Sequence, residues 1–261
     1  MRIVIIGTGN TATVLGKSII RAGHAIIQVI GRTSKNAEQL AKTLHSSSTT
    51  DQTQLNTSAD LYLVAVSDNA IPEIASWLRA DKKLVVHTAG SVECKVLQPC
   101  SKNFGVLYPL QSLRKEMDHL PEIPFLVDGN TADNGALIFD FAKTISADIR
   151  FAVDHQRFMT HIAAVMVSNF TNHLYAAADD FCKKENIDFK LLQPLIEEIA
   201  TRLRLFSPAA VQTGPAIRND TDTIRKHIEL LEPFPLQQSL YRVFTESIQQ
   251  TASWHTRIDA N

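Results

Sequence analysis

The chain has 261 residues, of which 44% are hydrophobic and 20% are charged, and its formal net charge is −1. This composition is typical of a globular protein, and the near-neutral charge argues against a general nucleic-acid binder. The three cysteines show no C-x-x-C spacing, which argues against a disulfide framework or a structural metal site. The chain has no uncharged stretch of about 18 residues and no leader before the first apolar run. We therefore expect a cytoplasmic protein that neither spans a membrane nor holds a metal.

Short apolar runs, each bounded by turn residues, divide the first half of the chain and predict strands buried on both faces. They cover residues 3–6, 25–30, 61–66, 83–88, 104–108 and 124–127. Helical patterns at 10–22 and 33–44 lie between the first of these runs. Strands that alternate with helices predict an α/β fold, with a doubly wound parallel sheet over residues 1–152.

The pattern changes after residue 152, where apolar residues recur at helical spacing and glycine becomes rare. We predict an all-α domain over residues 153–261. Its expected helices cover 154–175, 188–206, 220–231 and 236–254.

The first apolar run ends in a glycine-rich turn, IGTGNTA, that opens the first predicted helix. Gly7, Gly9 and Ala12 match G-x-G-x-x-[G/A] in the strand–turn–helix context that characterises a Rossmann dinucleotide site. Gly7 permits the tight turn, Gly9 allows a pyrophosphate to approach the main chain, and Ala12 keeps the helix close to the strand. The alternative is a turn that only joins strand to helix. The predicted cofactor-binding residues here are Gly7, Thr8, Gly9, Asn10, Thr11 and Ala12.

The end of the second predicted strand carries no carboxylate for the ribose hydroxyls of NAD. Instead Arg32, Thr33 and Ser34 follow it, and this set suits the additional phosphate of NADP. The alternative is that these residues are solvated groups that open a helix. The sequence predicts NADP(H) as the cofactor, in preference to NAD(H).

Polar turns also follow the later strands, where ligands bind in open α/β sheets. We predict cofactor contacts from Val66 and Ser67 and from the turn His87, Thr88 and Ala89. His87 is either a proton donor beside the nicotinamide or, as we favour, a residue that orders its own loop. The next apolar run ends at Tyr108, and the polar side chains of Gln111 and Ser112 follow it.

A polar stripe runs through the long predicted helix of the second half. His161, Ser168, Asn169 and Asn172 are spaced so that a regular α-helix places them on one face. We predict that His161 donates a proton or orients the donor, and that Asn169 and Asn172 position the substrate. The alternative is that these groups are hydrogen-bonded at a domain or subunit interface.

Five segments, IGTGNTA, HTAGS, YPLQS, SNF and TGPAIRND, occur in this order along nearly the whole chain. In them the sequence resembles a family of NADP oxidoreductases that pairs a Rossmann-like domain with a C-terminal domain of unknown function. The first half is similar to pyrroline-5-carboxylate reductases and deazaflavin-dependent NADP reductases, and the two-domain plan is similar to that of 6-phosphogluconate dehydrogenases. The resemblance implies a helical dimerisation domain and an active site between the two domains.

One departure from the related β-hydroxyacid dehydrogenases concerns the long helix, where those enzymes place a lysine. This chain has His161 and Val165 in that region, and the first lysine after residue 154 is Lys183. Lysine-assisted alcohol oxidation is therefore disfavoured, whereas hydride transfer to a C=N bond or a cofactor-like acceptor remains compatible. In TGPAIRND, Asp220 is predicted to cap a helix, and Arg218 either binds a substrate carboxylate or pairs with an acid of the fold.

These observations predict an NADP(H)-dependent oxidoreductase that acts on a small molecule, such as an imine, a carbonyl compound or a deazaflavin-like acceptor. We also predict a homodimer that forms through the helical domain. The alternative is a dinucleotide-binding sensor that performs no chemistry.

Overall fold

The computed structural model describes residues 1–117 and 119–258, and within them the chain forms eight strands and nine α-helices. The strands are β1 (Arg2–Ile6), β2 (Ala25–Ile30), β3 (Ser47–Thr49), β4 (Leu61–Val64), β5 (Asp81–His87), β6 (Ser101–Pro109), β7 (Phe125–Gly129) and β8 (Ile149–Phe151). The helices are α1 (Asn10–Arg21), α2 (Ser34–Thr43), α3 (Ile71–Trp77), α4 (Ala132–Lys143), α5 (Asp154–Ala164), α6 (Thr171–Lys184), α7 (Gln193–Arg202), α8 (Thr221–Leu230) and α9 (Pro235–Ile258).

The strands form one sheet in the order β3-β2-β1-β4-β5-β6-β7-β8. This arrangement confirms the predicted α/β class and the doubly wound plan. One pair departs from the predicted parallel sheet, because β7 runs antiparallel to β6. The described residues between these two strands form no α-helix, and a parallel pair would need a crossover connection.

The sheet is covered on both faces, and side-chain alternation along β1 shows how. Ile3 and Ile5 belong to the core cluster that includes Leu15 and Ile19 of α1. Val4 and Ile6 belong to the cluster on the opposite face. Successive side chains of a strand point to opposite faces, so a strand buried on both sides is apolar at every position.

The long helix predicted over 154–175 is present, but it is not a regular α-helix throughout. Residues Val165–Phe170 between α5 and α6 form a π-helix, which has more residues per turn. The offsets that place His161, Asn169 and Asn172 on one face assume 3.6 residues per turn. The shared face of these side chains therefore stays a prediction.

The chain divides into two compact units, Met1–Ser168 and Asn169–Asn261. The first contains the sheet and α5, and the second contains α6 to α9. The boundary after residue 152 and the domain limits stay a prediction. The last three residues, 259–261, lie outside the described residues. In the second unit Asp220 caps α8 as expected, since its carboxylate accepts a hydrogen bond of 3.1 Å from the Thr223 amide.

In the part of the chain that the structure describes, none of the helices is long and apolar enough to cross a membrane. The same residues contain no cluster of three or more histidine, cysteine or carboxylate side chains with the geometry of a metal site.

Candidate dinucleotide and active site

The turn between β1 and α1 requires glycine at its first motif position. Gly7 has φ +125°, and a Cβ at this residue would lie 2.1 Å from the carbonyl oxygen of Ala65. The Gly7 amide donates to the carbonyl of Ile30 over 2.8 Å, which ties the turn to the end of β2. The fold itself therefore explains this glycine.

Gly9, the second glycine of the motif, has no such explanation in the fold. Its φ is −81°, and a Cβ here would meet no atom within 4 Å. It is the N-cap of α1, which has no side-chain hydrogen bond at the cap and no acidic residue in its first turn. The first amides of α1 lack intrahelical partners and no side chain caps them, as at helix termini that bind anions.

A second helix begins beside this turn, after β2. A Cβ on Gly31 would lie 2.8 Å from the Cγ2 of Thr8, so the two turns are in direct contact. Arg32, Thr33 and Ser34 are exposed, and α2 has no side-chain cap and no acidic residue in its first turn. This group of donors can hold an additional phosphate.

The turns after β4 and β5 continue the same edge of the sheet. The parallel register aligns Val64 with His87 at the ends of these strands. The Ser91 hydroxyl donates to the carboxylate of Asp68, and this bond links the two turns. Because β2, β1, β4 and β5 are neighbours, the predicted cofactor residues lie along one edge: Gly7 to Ala12, Arg32 to Ser34, Val66 with Ser67, and His87 to Ala89.

His87 is fully buried at 0% exposure, and its imidazole bonds within its own loop. The Ala89 amide donates to its Nδ1 over 3.2 Å, which places the imidazole proton on Nε2. Burial, reinforced by the positive charge of Arg157, lowers the pKa of His87 to about 4. The side chain is neutral near pH 7 and is shielded from ligands, which favours the structural interpretation over the proton donor.

His161 of α5 meets Tyr108 at the end of β6. The Tyr108 hydroxyl and the His161 Nδ1 share a hydrogen bond of 2.9 Å, and the two rings pack edge to face. A Cβ on Gly90 would lie 2.7 Å from His161 Nδ1 and 2.9 Å from Tyr108 Cε2. The turn after β5 therefore lies against this pair and needs a glycine at the contact. Burial raises the pKa of the Tyr108 phenol, so it stays protonated near pH 7.

The other polar residues singled out in the sequence are placed differently. Gln111 turns back onto its own loop and donates to the carbonyl of Glu122 over 3.0 Å. Ser112 is exposed, and its amide donates to the side-chain oxygen of Gln111. Asn169 and Asn172 are exposed residues of the second unit.

Sequence reasoning missed Arg157 and Asp154, which the structure places beside the His87 loop. Arg157 is fully buried and pairs with Asp154 over 2.7 Å. The only signal in the sequence is their spacing of three residues on a predicted helix, which most exposed ion pairs share. It does not reveal a buried charge.

The sheet order and the glycine turn define the Rossmann-type class of nucleotide-binding oxidoreductases. Residues 2–90 match the family model described as NADP oxidoreductase coenzyme F420-dependent. Residues 123–248 match the family model of a domain of unknown function, DUF2520. A search of curated proteins found no match.

Solved structures identify the family. A protein from Bacteroides fragilis named "putative NADP oxidoreductase" is 38% identical, with a TM-score of 0.89 and coverage of 95% of this chain and 98% of that chain. The chain therefore belongs to the family of this oxidoreductase, and the resemblance seen in the sequence is confirmed.

Two more distant structures share the fold. A 1-pyrroline-5-carboxylate reductase from Streptococcus pyogenes is 14% identical, with a TM-score of 0.65 and coverage of 96% and 98% of the two chains. A reductive aminase from Aspergillus terreus, in complex with NADPH and ethyl levulinate, is 13% identical, with a TM-score of 0.71 and coverage of 95% and 94%.

Proposed function

We propose that this protein is an NADP(H)-dependent oxidoreductase that reduces a small molecule, with a C=N compound as the first candidate substrate. The coenzyme, when bound, supplies or accepts the hydride. Its pyrophosphate is held by the amides of the turn Gly7–Ala12, and its additional phosphate by Arg32, Thr33 and Ser34. Val66, Ser67, Thr88 and Ala89 border the same edge and complete the proposed site.

The observation that carries this proposal is the empty space in front of Gly9. Nothing in the fold requires a glycine there, because its φ is −81° and no atom would meet a Cβ. A ligand that approaches the amides of α1 would need that space. The absence of any acidic side chain in the first turn of α1 leaves the helix dipole available to an anion.

The test compares the substitutions Gly9→Ala and Gly7→Ala in NADPH titrations and thermal unfolding. Gly9→Ala should raise the dissociation constant of NADPH at least about tenfold, or about 1.4 kcal/mol, and leave the unfolding temperature nearly unchanged. Gly7→Ala should lower the unfolding temperature, because a Cβ would lie 2.1 Å from a carbonyl oxygen. Wild-type affinity in Gly9→Ala would contradict the site. NADPH binding by the wild type without turnover of any acceptor would favour the sensor.

For the proton that accompanies hydride transfer, we propose the pair Tyr108 and His161. In the proposed tautomer the phenol donates to His161 Nδ1 and the imidazole carries its proton on Nε2. As Nε2–H passes its proton to the substrate, Nδ1 takes the phenol proton, and water then reprotonates the tyrosinate. His161 is half-buried and so can reach a ligand, whereas His87 is fully enclosed. Asn169 and Asn172 stay the proposed substrate-positioning residues.

A C=N substrate is supported by two observations. The structural neighbours include a pyrroline-5-carboxylate reductase and a reductive aminase bound to NADPH. After burial, the negative charge of Asp68 raises the pKa of the Tyr108 phenol more than the positive charge of Arg157 lowers it. A negative charge beside the proton donor stabilises the cationic iminium that forms when a neutral imine accepts the proton, and it disfavours an anionic 2-oxo acid.

We further propose that the protein is a homodimer formed through its second unit. Helix α7 has no buried residue, although Leu195 and Ile199 stand on one of its faces. Leu191 and Leu203 extend this stripe, and the four side chains are between 46% and 73% exposed. An uncovered apolar stripe of this length needs a partner surface, and a second copy of the chain supplies one.

A further inference from the structure

Three residues of α5 contact the loop after β5 in reverse order. The carboxylate of Asp154 accepts two hydrogen bonds of 3.0 and 3.2 Å from the Cys94 amide. The Nη2 of Arg157 donates to the Val92 carbonyl and, over 2.7 Å, to Asp154. One turn later His161 lies against Gly90, the residue whose missing Cβ makes room for it.

The spacing of the three residues explains this arrangement. Positions 154, 157 and 161 are separated by three and four residues, so they form one face of α5, which ends before the π-helix begins. The loop is extended along that face, with residues 94, 92 and 90 opposite them in turn. The same loop contains Thr88 and Ala89, which border the proposed coenzyme site.

Stability is a poor explanation for the central residue of this arrangement. Arg157 is 0% exposed, and its Nε and Nη1 have no hydrogen-bond partner among the described residues. Burial of a guanidinium with unpaired N–H groups costs free energy, and apolar replacements of buried ion pairs are often neutral or stabilising. The guanidinium does fix the distance between α5 and the loop after β5.

We propose that Arg157 is a positioning residue for the active site. It holds the turn around Gly90 in register with α5, and thereby sets the position of His161 relative to Tyr108 and the nicotinamide edge. Arg157 touches neither the substrate nor the coenzyme. The inference rests on the proposed function for its kinetic consequence, but the positioning itself is independent of any reaction.

The experiment uses the full-length protein with Arg157→Met, a substitution of similar length without the charge. A second variant, Asp154→Asn with Arg157→Met, removes both charges and keeps an oxygen that can accept from the Cys94 amide. Arg150→Met is the matched control, because Arg150 is an exposed arginine that also pairs with an aspartate of the first unit. Thermal unfolding should show that one or both Arg157 variants are at least as stable as the wild type.

Two readouts separate positioning from packing. In protein labelled with ¹⁵N-histidine, the ring nitrogen signals of His161 should shift in the Arg157 variants and stay unchanged in Arg150→Met. With an imine substrate and NADPH, kcat should fall about tenfold or more, because small misplacements of reacting groups are costly, while the KM for NADPH stays within about twofold. The signals that are missing from the spectrum of His161→Asn are those of the His161 ring nitrogens.

The outcomes distinguish this inference from the proposed function. Unshifted His161 signals in a stable Arg157→Met or double variant would overturn the positioning role, whatever the activity. If the wild type reduces no acceptor, the proposed function fails, and the His161 signals still decide the inference. Shifted signals with unchanged kcat would overturn the kinetic consequence.

Discussion

The choice between NADP(H) and NAD(H) is expected to depend on one guanidinium. Arg32 is exposed beside the uncapped first turn of α2, and it makes no hydrogen bond or ion pair with any residue that the structure describes. Hydrogen bonds to charged groups contribute about 1.5–3 kcal/mol, so Arg32→Glu should weaken NADPH binding about 10- to 100-fold. NADH affinity should change by less than about threefold, since NADH lacks the additional phosphate.

Fluorescence titrations with both dinucleotides measure this difference. Lys42→Glu is the control, because it makes the same change of charge in the last turn of α2. Equal loss of NADPH affinity in both variants would mean that net charge alone matters. Unchanged NADPH affinity in Arg32→Glu would show that Arg32 does not contact the phosphate.

His87 should make the stability of the protein depend on pH. Its pKa is lowered to about 4 by burial and by Arg157, whereas an unfolded histidine titrates near 6.5. Below pH 6.5, His87 therefore binds a proton in the unfolded chain but stays neutral in the folded chain. The protein loses stability as the pH falls toward 4. The shift corresponds to about 3 kcal/mol as an order of magnitude.

Chemical denaturation at several pH values from 7 to 4.5 checks this prediction. His87→Asn keeps an oxygen near the position of Nδ1 to accept from the Ala89 amide, and it does not titrate. The loss of stability with falling pH should be smaller in this variant than in the wild type. His45→Asn is the control, because His45 is exposed and its φ of 51° also suits asparagine. Equal pH dependence in all three proteins would disprove the assignment.

At the scale of elements, the contact between β6 and α5 should control the rate of turnover. Tyr108→Phe removes only the hydroxyl that bonds to His161, and His161→Ala removes the proposed donor itself. General acid catalysis contributes about 10²- to 10⁴-fold, so His161→Ala should lower kcat by about 10²-fold or more and Tyr108→Phe by a smaller factor. NADPH affinity should change less than about twofold in both.

A matched control is Tyr62→Phe, which removes a buried hydroxyl bonded to the Asn56 carbonyl, on β4 of the same sheet. Steady-state kinetics with an imine substrate should show wild-type kcat in this variant. Full turnover in both Tyr108→Phe and His161→Ala would exclude the pair as the proton source. A fall in kcat for Tyr62→Phe as large as that for Tyr108→Phe would attribute the effect to general packing.

Elements with a strong local pattern could be predicted from the sequence. The strands β1, β2, β4 and β5 each contain a short run of apolar residues, because both faces of the sheet are covered. The two short edge strands could not be predicted from the sequence. The residues of β3 (Ser47–Thr49) are polar, and those of β8 (Ile149–Phe151) are half-exposed or exposed. The π-helix also escaped prediction, because a residue added to a helical turn leaves the apolar composition unchanged.

The candidate site shows a similar division. The glycine turn could be found, because its spacing reflects a local backbone requirement. The hydrogen bond between Tyr108 and His161 joins residues 53 positions apart. Both residues could be identified as candidates from the sequence, but their contact could not be predicted. Arg157 could not be found, because an arginine is normally exposed and only the folded loop over α5 buries it.

At the scale of the whole molecule, the apolar stripe of α7 should determine the oligomeric state. Leu195 and Ile199 are 59% and 48% exposed in a single chain, and their helix buries nothing in its own unit. A stable dimer buries about 1,200–2,000 Å² in total, which requires a surface of this kind. We expect the wild type to sediment with twice the mass of one chain.

The double variant Leu195→Lys with Ile199→Lys should sediment as a monomer, because two charges would have to be buried in the interface. Glu197→Lys also adds a positive charge to α7, but on the opposite face, so it should stay dimeric. NADPH affinity should be similar in all three proteins, since the residues proposed to bind the coenzyme belong to the first unit. A monomeric wild type, or a double variant that remains dimeric, would show that α7 is not the interface.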